Sequence, residues 1–403
     1  MKNQWTRRDF LKLTGITGCV AAVPACAHRM TAMEGIVREM PVAKDWKPHV
    51  ASAWVPKGEV DNAYALFKKT VEMATDFSWL IKGDSVLIKL TLNSGNLYPA
   101  TTDPWSLASM IRLLREKGAG RIMVGDSSGV EQVLWTRDKK KGASRTCCNQ
   151  AGLLDVIVDN NAEPVFFEEL GYDAFMPESP VGKHHWKEPV MITTAINEAD
   201  HLIYLTRVSS HVMGDITSGF KTSVGFLRED SRKIFHRGGD DFYAMYEEIN
   251  QLPSIVSKLR LTVSSGRKVL ATFGPDKGHV AEPDQGLVLA STDLFAHEML
   301  SYAWLLYNRE FETDFFDRGF TGGLHKRRSA INRGFVWLTW DDGGFFKTPA
   351  IPLFIPGSIF AHPSAVNYMK RKGGRPVAFE WEQVNRPENS DRMLNYMAEK
   401  LNI

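Results

Sequence analysis

Short apolar runs alternate with segments of helical periodicity over the first three quarters of the chain. Residues 86–92 (VLIKLTL) and 121–126 (RIMVGD) have the length and apolar content of buried strands. Between them, Pro104 begins a segment of helical periodicity that runs to about residue 117 and is followed by glycines. Strand, helix and strand at this spacing favour two neighbouring parallel strands joined by a helical crossover.

The alternation continues to about residue 308. Helices are predicted at 61–77, 152–160, 193–198, 240–259 and 294–307, and strands at 164–167, 201–208, 267–273 and 286–290. The sequence therefore predicts an α/β fold with a mostly parallel sheet flanked by helices.

The two ends of the chain have a different pattern. Residues 28–54 contain several prolines and no clear periodicity, so we predict an irregular lead-in to an α/β core at 55–308. Residues 309–403 are rich in glycine and aromatic residues and end in two predicted helices near 363–371 and 388–401. We predict that this aromatic-rich C-terminal extension is a subdomain that packs on the core.

The first residues carry an export pattern. Thr6-Arg-Arg-Asp-Phe-Leu-Lys12 has the form of a twin-arginine signal, and the segment after it is only mildly apolar. Residues 1–27 are therefore predicted to be a signal peptide recognised by the twin-arginine translocase, and the mature protein to be periplasmic or otherwise extracytoplasmic. Ala25-Cys-Ala27 fits a peptidase site, whereas Val23-Pro-Ala-Cys26 resembles a lipobox, which would anchor the protein by a lipid on Cys26.

Composition excludes several classes of protein. The 403 residues carry a formal charge of +2, and removal of a signal peptide with a net +3 would leave about −1, so no general electrostatic basis for nucleic-acid binding exists. No apolar stretch is long enough for a transmembrane span. After residue 27 the only cysteines are the adjacent Cys147 and Cys148, and without a C-x-x-C pair we expect no iron–sulfur cluster.

Polar residues follow three of the predicted strands. Asn93 and Asn96 come after the first, and Asp126-Ser127-Ser128 ends the second. Because the carboxyl ends of parallel strands meet at one edge of a sheet, ligand sites gather there. Asp126, Ser127 and Ser128 either bind a cofactor or its phosphate, or form an ordinary turn.

The third strand is followed by His211, Thr217 and Lys221 in a glycine-rich segment. The histidine is a candidate metal ligand or proton-transfer group, and the lysine a candidate anion-binding or covalent group. The alternative is a loop histidine with satisfied hydrogen bonds and a surface lysine. Asp293 follows a fourth strand and suits a helix N-cap, although we also consider it as a metal ligand.

These residues resemble one known family. The stretch from Val86 to Gly129, the segment Ala151-Gly-Leu-Leu-Asp155, the set His211, Thr217, Lys221, Gly225, Arg232, His236 and the closing Ser291-Thr-Asp293 resemble the domain-of-unknown-function family 362. The resemblance covers about residues 85–305. The chain departs from the family pattern at Ser209-Ser210, Thr222 and Glu298.

The spacing of His211, Lys221 and a later histidine is also similar to that in the N-terminal lobe of nickel-pincer lactate racemases. That similarity implies that Lys221 tethers or binds a cofactor, that His211 is a nickel ligand or a base, and that His236 assists. It also implies that Thr217 lies close to a phosphate.

Our leading hypothesis is an exported enzyme that depends on a metal or organic cofactor and transfers a proton or a hydride. Its catalytic residues would be His211, Lys221 and His236, its cofactor-binding residues Asp126, Ser127, Ser128, Thr217 and Lys221, and its metal ligands His211 and Asp293. The alternatives are a periplasmic binding protein for a small anion and an accessory protein of an envelope redox complex.

Overall fold

The structure is a computed structural model that describes residues 32–59, 63–313, 328–340, 345–349, 351 and 357–403. The predicted signal peptide, with Cys26, lies outside these residues. None of the helices in the described ranges is both long and apolar enough to cross a bilayer.

One large sheet organises the fold, and most of its strand pairs are parallel. Its strands are β1 (His49–Pro56), β2 (Val86–Lys89), β3 (Ile122–Asp126), β4 (Glu163–Phe166), β5 (His201–His211), β6 (Asp215–Thr217), β7 (Leu259–Leu270), β8 (Val280–Ala281), β9 (Gln285–Ser291) and β10 (Glu380–Gln383). The order across the sheet is β10-β1-β9-β7-β5-β2-β3-β4, with β6 paired to β5 and β8 to β7. Strands β7, β5, β2, β3 and β4 run parallel, whereas β9 is antiparallel to both of its neighbours.

Helices cover both faces of this sheet. They are α1 (Tyr64–Ala74), α2 (Pro104–Glu116), α3 (Ser144–Gln150), α4 (Leu154–Asp159), α5 (Gly219–Thr222), α6 (Glu229–His236), α7 (Phe242–Glu248), α8 (Pro253–Lys258), α9 (Leu294–Phe311), α10 (Arg328–Trp340), α11 (Pro363–Arg371) and α12 (Asp391–Leu401). Residues 32–39 are helical as well. Short 3₁₀ turns lie at 167–170, 194–198, 223–226, 239–241, 249–251, 345–347 and 359–361, and small paired strands at 42–43 with 375–376, 134–135 with 140–141, and 175–178 with 190–193.

The apolar runs of the central strands reflect burial on both faces. Alternate residues of β5 enter two different hydrophobic cores: Ile203 and Leu205 pack with α1 and α2, whereas Leu202 and Tyr204 pack with α7 and α9. Such strands read as continuous apolar segments rather than as alternating ones. The predicted α/β class with a mostly parallel sheet is confirmed.

Three predicted elements differ from the structure. The lead-in at 28–54 contains β1, which pairs on both sides within the sheet. The helix predicted at 240–259 is divided into α7, a 3₁₀ turn and α8, because Pro253 lacks the N–H that a continuous helix would use. The strand predicted at 267–273 is the end of β7, which begins at Leu259.

The C-terminal extension joins the large sheet through β10, which pairs with β1 in parallel. Helix α12 packs on α9. The division at residue 308 stays a prediction.

Candidate functional site

The carboxyl ends of β2, β3, β5 and β7 meet at one edge of the sheet, because these strands are parallel neighbours. Loops and side chains from several strands converge at such an edge. Lys89, Asp126 and Arg207 lie in the last residues of β2, β3 and β5. We refer to this region as the carboxyl edge.

Lys89 and Asp126 form a buried ion pair at the carboxyl edge. The Lys89 Nζ atom lies 2.6 Å from Asp126 Oδ1, and it also donates to the Leu90 carbonyl at 2.8 Å. The other oxygen, Oδ2, accepts the Leu92 N–H at 2.8 Å. Gly225 lies against both charged groups, where a methyl group would collide with them. Both oxygens of Asp126 therefore have partners inside the protein.

The Ser127–Ser128 segment is fixed by internal hydrogen bonds. Its two N–H groups donate to Asp126 Oδ1 at 2.7 Å and to Ser144 Oγ at 2.8 Å. The Arg232 guanidinium donates to the carbonyls of Ser127 and Ser128 and to the backbone around Gly225. The backbone N–H groups that would bind a phosphate are thus already used in this conformation. The assignment of Asp126, Ser127 and Ser128 to a cofactor stays a prediction.

His211 and Lys221 converge beside Gly214. A methyl group placed on Gly214 would lie 3.4 Å from Lys221 Cε, 3.5 Å from its Cδ and 3.7 Å from His211 Cγ. The turn between β5 and β6 brings the two residues together, because β6 folds back on β5 with His211 opposite Asp215. Both side chains therefore border one small space.

The hydrogen bonds of His211 determine its tautomer. Nδ1 accepts the N–H groups of Met213 and Gly214, both at 3.1 Å. In the neutral ring the proton is therefore on Nε2, which acts as a donor. A metal ligand needs a free lone pair, and neither nitrogen offers one in this arrangement.

Lys221 is half-buried, and its Nζ makes no hydrogen bond or ion pair within the described part of the chain. Burial lowers its pKa to about 7, and the positive charges of Arg207 and Arg232 act in the same direction. A large fraction of this amine is therefore neutral near pH 7.

Arg207 is a fully buried cation with incomplete hydrogen bonding. Nη2 donates to the Pro275 carbonyl at 3.1 Å, whereas Nε and Nη1 have no acceptor. Burial lowers the pKa of this guanidinium to about 10, although Asp276 and Asp126 oppose the shift. A buried guanidinium N–H without an acceptor is costly, and a bound anion would remove that cost.

Asp276 belongs to the loop after β7 and reaches the same edge. Its Oδ1 accepts the Ser94 hydroxyl at 2.6 Å and the Asn93 side-chain amide. Burial raises its pKa, although the cations Arg207 and Lys221 lower it. Asn93, Asn96 and Asp276 therefore connect two of the loops that meet here.

Four cations at this edge, Lys89, Arg207, Lys221 and Arg232, are balanced unequally by the nearby carboxylates. Asp126 is paired with Lys89, and Glu168 and Glu229 act with Asp126 on Arg232. Arg207 and Lys221 both feel the charge of Asp276, but neither forms an ion pair with it among the described residues. These two cations, with the open N–H groups of Arg207, favour an anionic ligand.

His236 lies on α6 in an aromatic environment. Its ring centroid is 4.1 Å from that of Phe235 and 5.1 Å from that of Phe335. Nδ1 donates to the Arg232 carbonyl at 2.7 Å, and burial lowers its pKa to about 3. The ring is therefore neutral, with its lone pair on Nε2.

Thr217 and Glu298 lie on the interior side of the segment that carries Lys221. The Thr217 hydroxyl is buried and has no partner among the described residues. Glu298 Oε2 accepts the Phe220 N–H at 3.1 Å, which holds the first turn of α5. Gly219 fits between this carboxylate and His297, where a side chain would collide. These contacts fix the backbone next to Lys221.

The structure places Asp293 at the other edge of the sheet, because β9 runs antiparallel to β7. Its Oδ1 caps α9 by accepting the N–H groups of Phe295 and Ala296, at 2.9 and 3.1 Å. Its Oδ2 accepts the Trp46 indole N–H at 2.8 Å. Both oxygens are therefore used in structural hydrogen bonds.

The described residues contain no group of three or more His, Cys, Asp or Glu side chains arranged to hold a metal ion. With the tautomer of His211 and the capping bonds of Asp293, the residues in place do not fit a metal centre in this conformation. Metal ligation by His211 and Asp293 stays a prediction, and no chemical step is derived from it.

Sequence reasoning did not identify Lys89, Arg207 or Asp276 as site residues. A charged residue inside an apolar strand was the available signal, since Lys89 ends the run Val-Leu-Ile-Lys and Arg207 lies in an otherwise apolar stretch. Asp276 had no such signal, because it lies in a polar loop far along the chain.

Comparison with known proteins gives a family and two distant solved structures. The model of the domain of unknown function DUF362 matches residues 86–303, more than half of the chain. A crystal structure of a protein from Thermotoga maritima has a TM-score of 0.34 and 12% identity, covering 52% of this chain and 51% of that one. The lactate racemase apoprotein from Thermoanaerobacterium thermosaccharolyticum has a TM-score of 0.38 and 12% identity, covering 68% of this chain and 58% of that one.

The chain thus spans between half and three fifths of the length of these two structures. No curated protein sequence matches it. From the match over residues 86–303, the chain belongs to the DUF362 family, a domain of unknown function.

Proposed function

We propose that this protein is an enzyme that binds a small anionic substrate at the carboxyl edge and transfers a proton there, with Lys221 as the proton-transfer group. The observation that carries the proposal is the fully buried Arg207 guanidinium, two of whose nitrogens have no acceptor, next to a lysine amine that has no partner.

Anion binding follows from the open hydrogen-bond donors of Arg207. A buried N–H without an acceptor costs about 1–3 kcal/mol. A carboxylate or phosphate at this position would accept the open Arg207 N–H groups and attract Lys221. The Lys221 side chain is half-buried, whereas Arg207 is fully buried, so an entering ligand meets Lys221 before Arg207.

Proton transfer follows from the state of the amine. A general base is most effective when its pKa is close to the working pH, and burial together with Arg207 brings the pKa of Lys221 to about 7. The His211 ring borders the same small space as this amine.

An organic cofactor with a phosphate or carboxylate group would find the same cations. The protein should therefore be studied as purified from its natural host, with intact-mass and metal analysis performed beside every activity measurement. A covalent adduct on Lys221 would place a cofactor, rather than the substrate, at this amine.

The first experiment measures deuterium incorporation from D₂O into pyruvate, malonate and acetate by NMR, with thermal shifts recorded for the same compounds and for inorganic phosphate. We expect exchange in at least one carboxylate and its reduction by about 10²-fold or more in Lys221→Met. The control is Lys57→Met, since Lys57 is exposed and pairs with Glu282.

The two other outcomes have defined meanings. Binding of these anions without exchange would contradict the enzyme and favour a binding protein for a small anion. If no anion shifts the melting temperature and no exchange occurs, both functions are excluded for the carboxyl edge.

We also propose that the protein reaches the periplasm, or another extracytoplasmic compartment, through the twin-arginine translocase, since Arg7 and Arg8 lie in the matching pattern. In the natural host, fractionation should find the protein outside the cytoplasm, and Arg7→Lys with Arg8→Lys should retain it inside. Export of the double variant would contradict this route. Globomycin treatment would test whether Cys26 carries a lipid.

A further inference from the structure

We propose that Lys221 forms an imine with the carbonyl carbon of a small 2-oxo acid whose carboxylate lies against Arg207. This inference rests on the proposed function and names its substrate class. It accounts for two features at once: a nucleophilic amine without a hydrogen-bond partner, and a guanidinium with two nitrogens that lack an acceptor.

The position of Lys221 suits a nucleophile better than a structural cation. Its Cδ and Cε atoms lie beside Gly214 and the His211 ring, and the space between them is about the size of one methyl group. A structural lysine in this protein looks different: Lys89 is bonded both to a carboxylate and to a carbonyl. The neighbouring positive charges of Arg207 and Arg232 disfavour the ammonium form and leave the amine able to attack a carbonyl carbon.

Arg207 supplies the reason for a carboxylate next to that carbonyl. The loop after β7 connects the two residues: Arg207 donates to the Pro275 carbonyl, and the preceding Gly274 packs on the backbone of Ser210 and His211. Since Lys221 lies beside the His211 ring, its amine and the Arg207 guanidinium reach the same part of the carboxyl edge. In a 2-oxo acid the carboxylate and the carbonyl are on adjacent carbons, so one small molecule can reach both residues. Arginine binds carboxylates through charge-assisted hydrogen bonds that are about twice as strong as neutral ones.

The chemistry balances without a further reactant. The neutral amine of Lys221 adds to the carbonyl carbon, the nitrogen loses a proton and the oxygen gains one, which gives a carbinolamine. Loss of water then forms the carbon–nitrogen double bond, so amine and oxo acid give imine and water with no change of oxidation state. Protonation of the imine nitrogen makes the C–H on the far side of the carbonyl carbon more acidic. In this form Lys221 promotes the proposed proton transfer as an electron-withdrawing imine, and solvent water rather than the amine accepts the proton.

Reductive trapping tests the proposal directly. The full-length protein is incubated with pyruvate and sodium borohydride, digested and analysed by mass spectrometry. We expect the peptide that contains Lys221 to gain the mass of pyruvate plus two hydrogens less one water. Lys221→Arg keeps the charge but is not expected to be trapped.

The contribution of Arg207 is tested without a variant that might fail to fold. Acetone has the same carbonyl and methyl groups as pyruvate but no carboxylate, so we expect at least about 10-fold less trapping with acetone. An excess of acetate should reduce trapping of pyruvate. Equal trapping of acetone and pyruvate would overturn the role of Arg207.

Absence of an adduct on Lys221, or labelling restricted to exposed lysines such as Lys57, would overturn the imine. This failure is distinguishable from failure of the proposed function. Deuterium exchange that depends on Lys221 but occurs without trapping would leave Lys221 as a base and remove only the covalent step.

Discussion

Two lysines at the carboxyl edge have different environments. Lys89 is fully buried, lies 2.6 Å from the Asp126 carboxylate and donates to a backbone carbonyl. Lys221 is half-buried, lacks a carboxylate partner and lies beside a buried guanidinium with open N–H groups. A buried charge that is paired maintains a structure, whereas one left unpaired without apparent structural benefit indicates a function.

The largest expected effect comes from removing the partner of Lys89. Asp126→Asn leaves the ammonium of Lys89 buried beside a neutral amide, and we expect a loss of about 3–5 kcal/mol in the free energy of unfolding, measured by urea denaturation. The double variant Lys89→Met with Asp126→Asn should recover most of this loss. A change below about 1 kcal/mol in the single variant would show that the pair is not structural.

A smaller loss is expected when the same pair is disturbed by a methyl group. Gly225→Ala places its Cβ on Asp126 Oδ1 and Lys89 Nζ, so the ion pair has to move. Overpacking of this kind costs about 1–3 kcal/mol, which the same denaturation experiment would detect. Unchanged stability would mean that the loop at 223–227 moves away at little cost.

The contribution of Lys221 to the free energy of unfolding should depend on pH. Its folded pKa of about 7 lies below the ordinary value of 10.5, so between these limits the unfolded state binds more protons. The free-energy cost of burying the charged Lys221 amine is fully present below about pH 7 and is lost as the pH rises toward 10.5. Wild type should therefore gain on the order of 2 kcal/mol relative to Lys221→Met across this window, allowing for partial exposure. A difference in unfolding free energy between the two proteins that does not change with pH would contradict a folded pKa of about 7 for Lys221.

The smallest effect is expected at Gly214, which lies next to Lys221 as Gly225 lies next to Lys89. An added methyl group would meet Lys221 Cε at 3.4 Å, an ordinary contact distance. Gly214→Ala should change stability by less than about 1 kcal/mol, yet weaken anion binding several-fold by filling the space beside the amine. Isothermal titration calorimetry with the anion that gives the largest thermal shift measures this affinity. An unaltered affinity would show that Lys221 does not contact the ligand.

The sequence was sufficient to predict the α/β class and the convergence of polar residues after consecutive strands. His211 and Lys221 lie together because a short hairpin and one helical turn separate them, a local relation that their spacing reveals. The position of Asp293 was harder to predict, because its distance from the carboxyl edge depends on β9 being antiparallel. The direction of a strand is decided by pairing across the whole sheet.

The remaining site residues depend on contacts between distant segments. Arg207 and Asp276 meet only after the loop beyond β7 folds back onto the end of β5. Tertiary packing of this kind leaves no periodicity in the sequence. The charge inside an apolar strand at Lys89 and Arg207 was nevertheless visible, and it marks positions where a buried cation must find a partner or a ligand.

The central claim is that the amine of Lys221 lacks an ion-pair partner among the described residues, unlike that of Lys89. The most direct measurement is the pH dependence of acetylation at individual lysines in the folded protein, resolved by mass spectrometry against exposed Lys57. We predict that Lys221 acetylation is half-maximal near pH 7, whereas Lys89 stays protected until the protein unfolds. The same pH dependence of acetylation at Lys221 and at Lys57 would contradict the account.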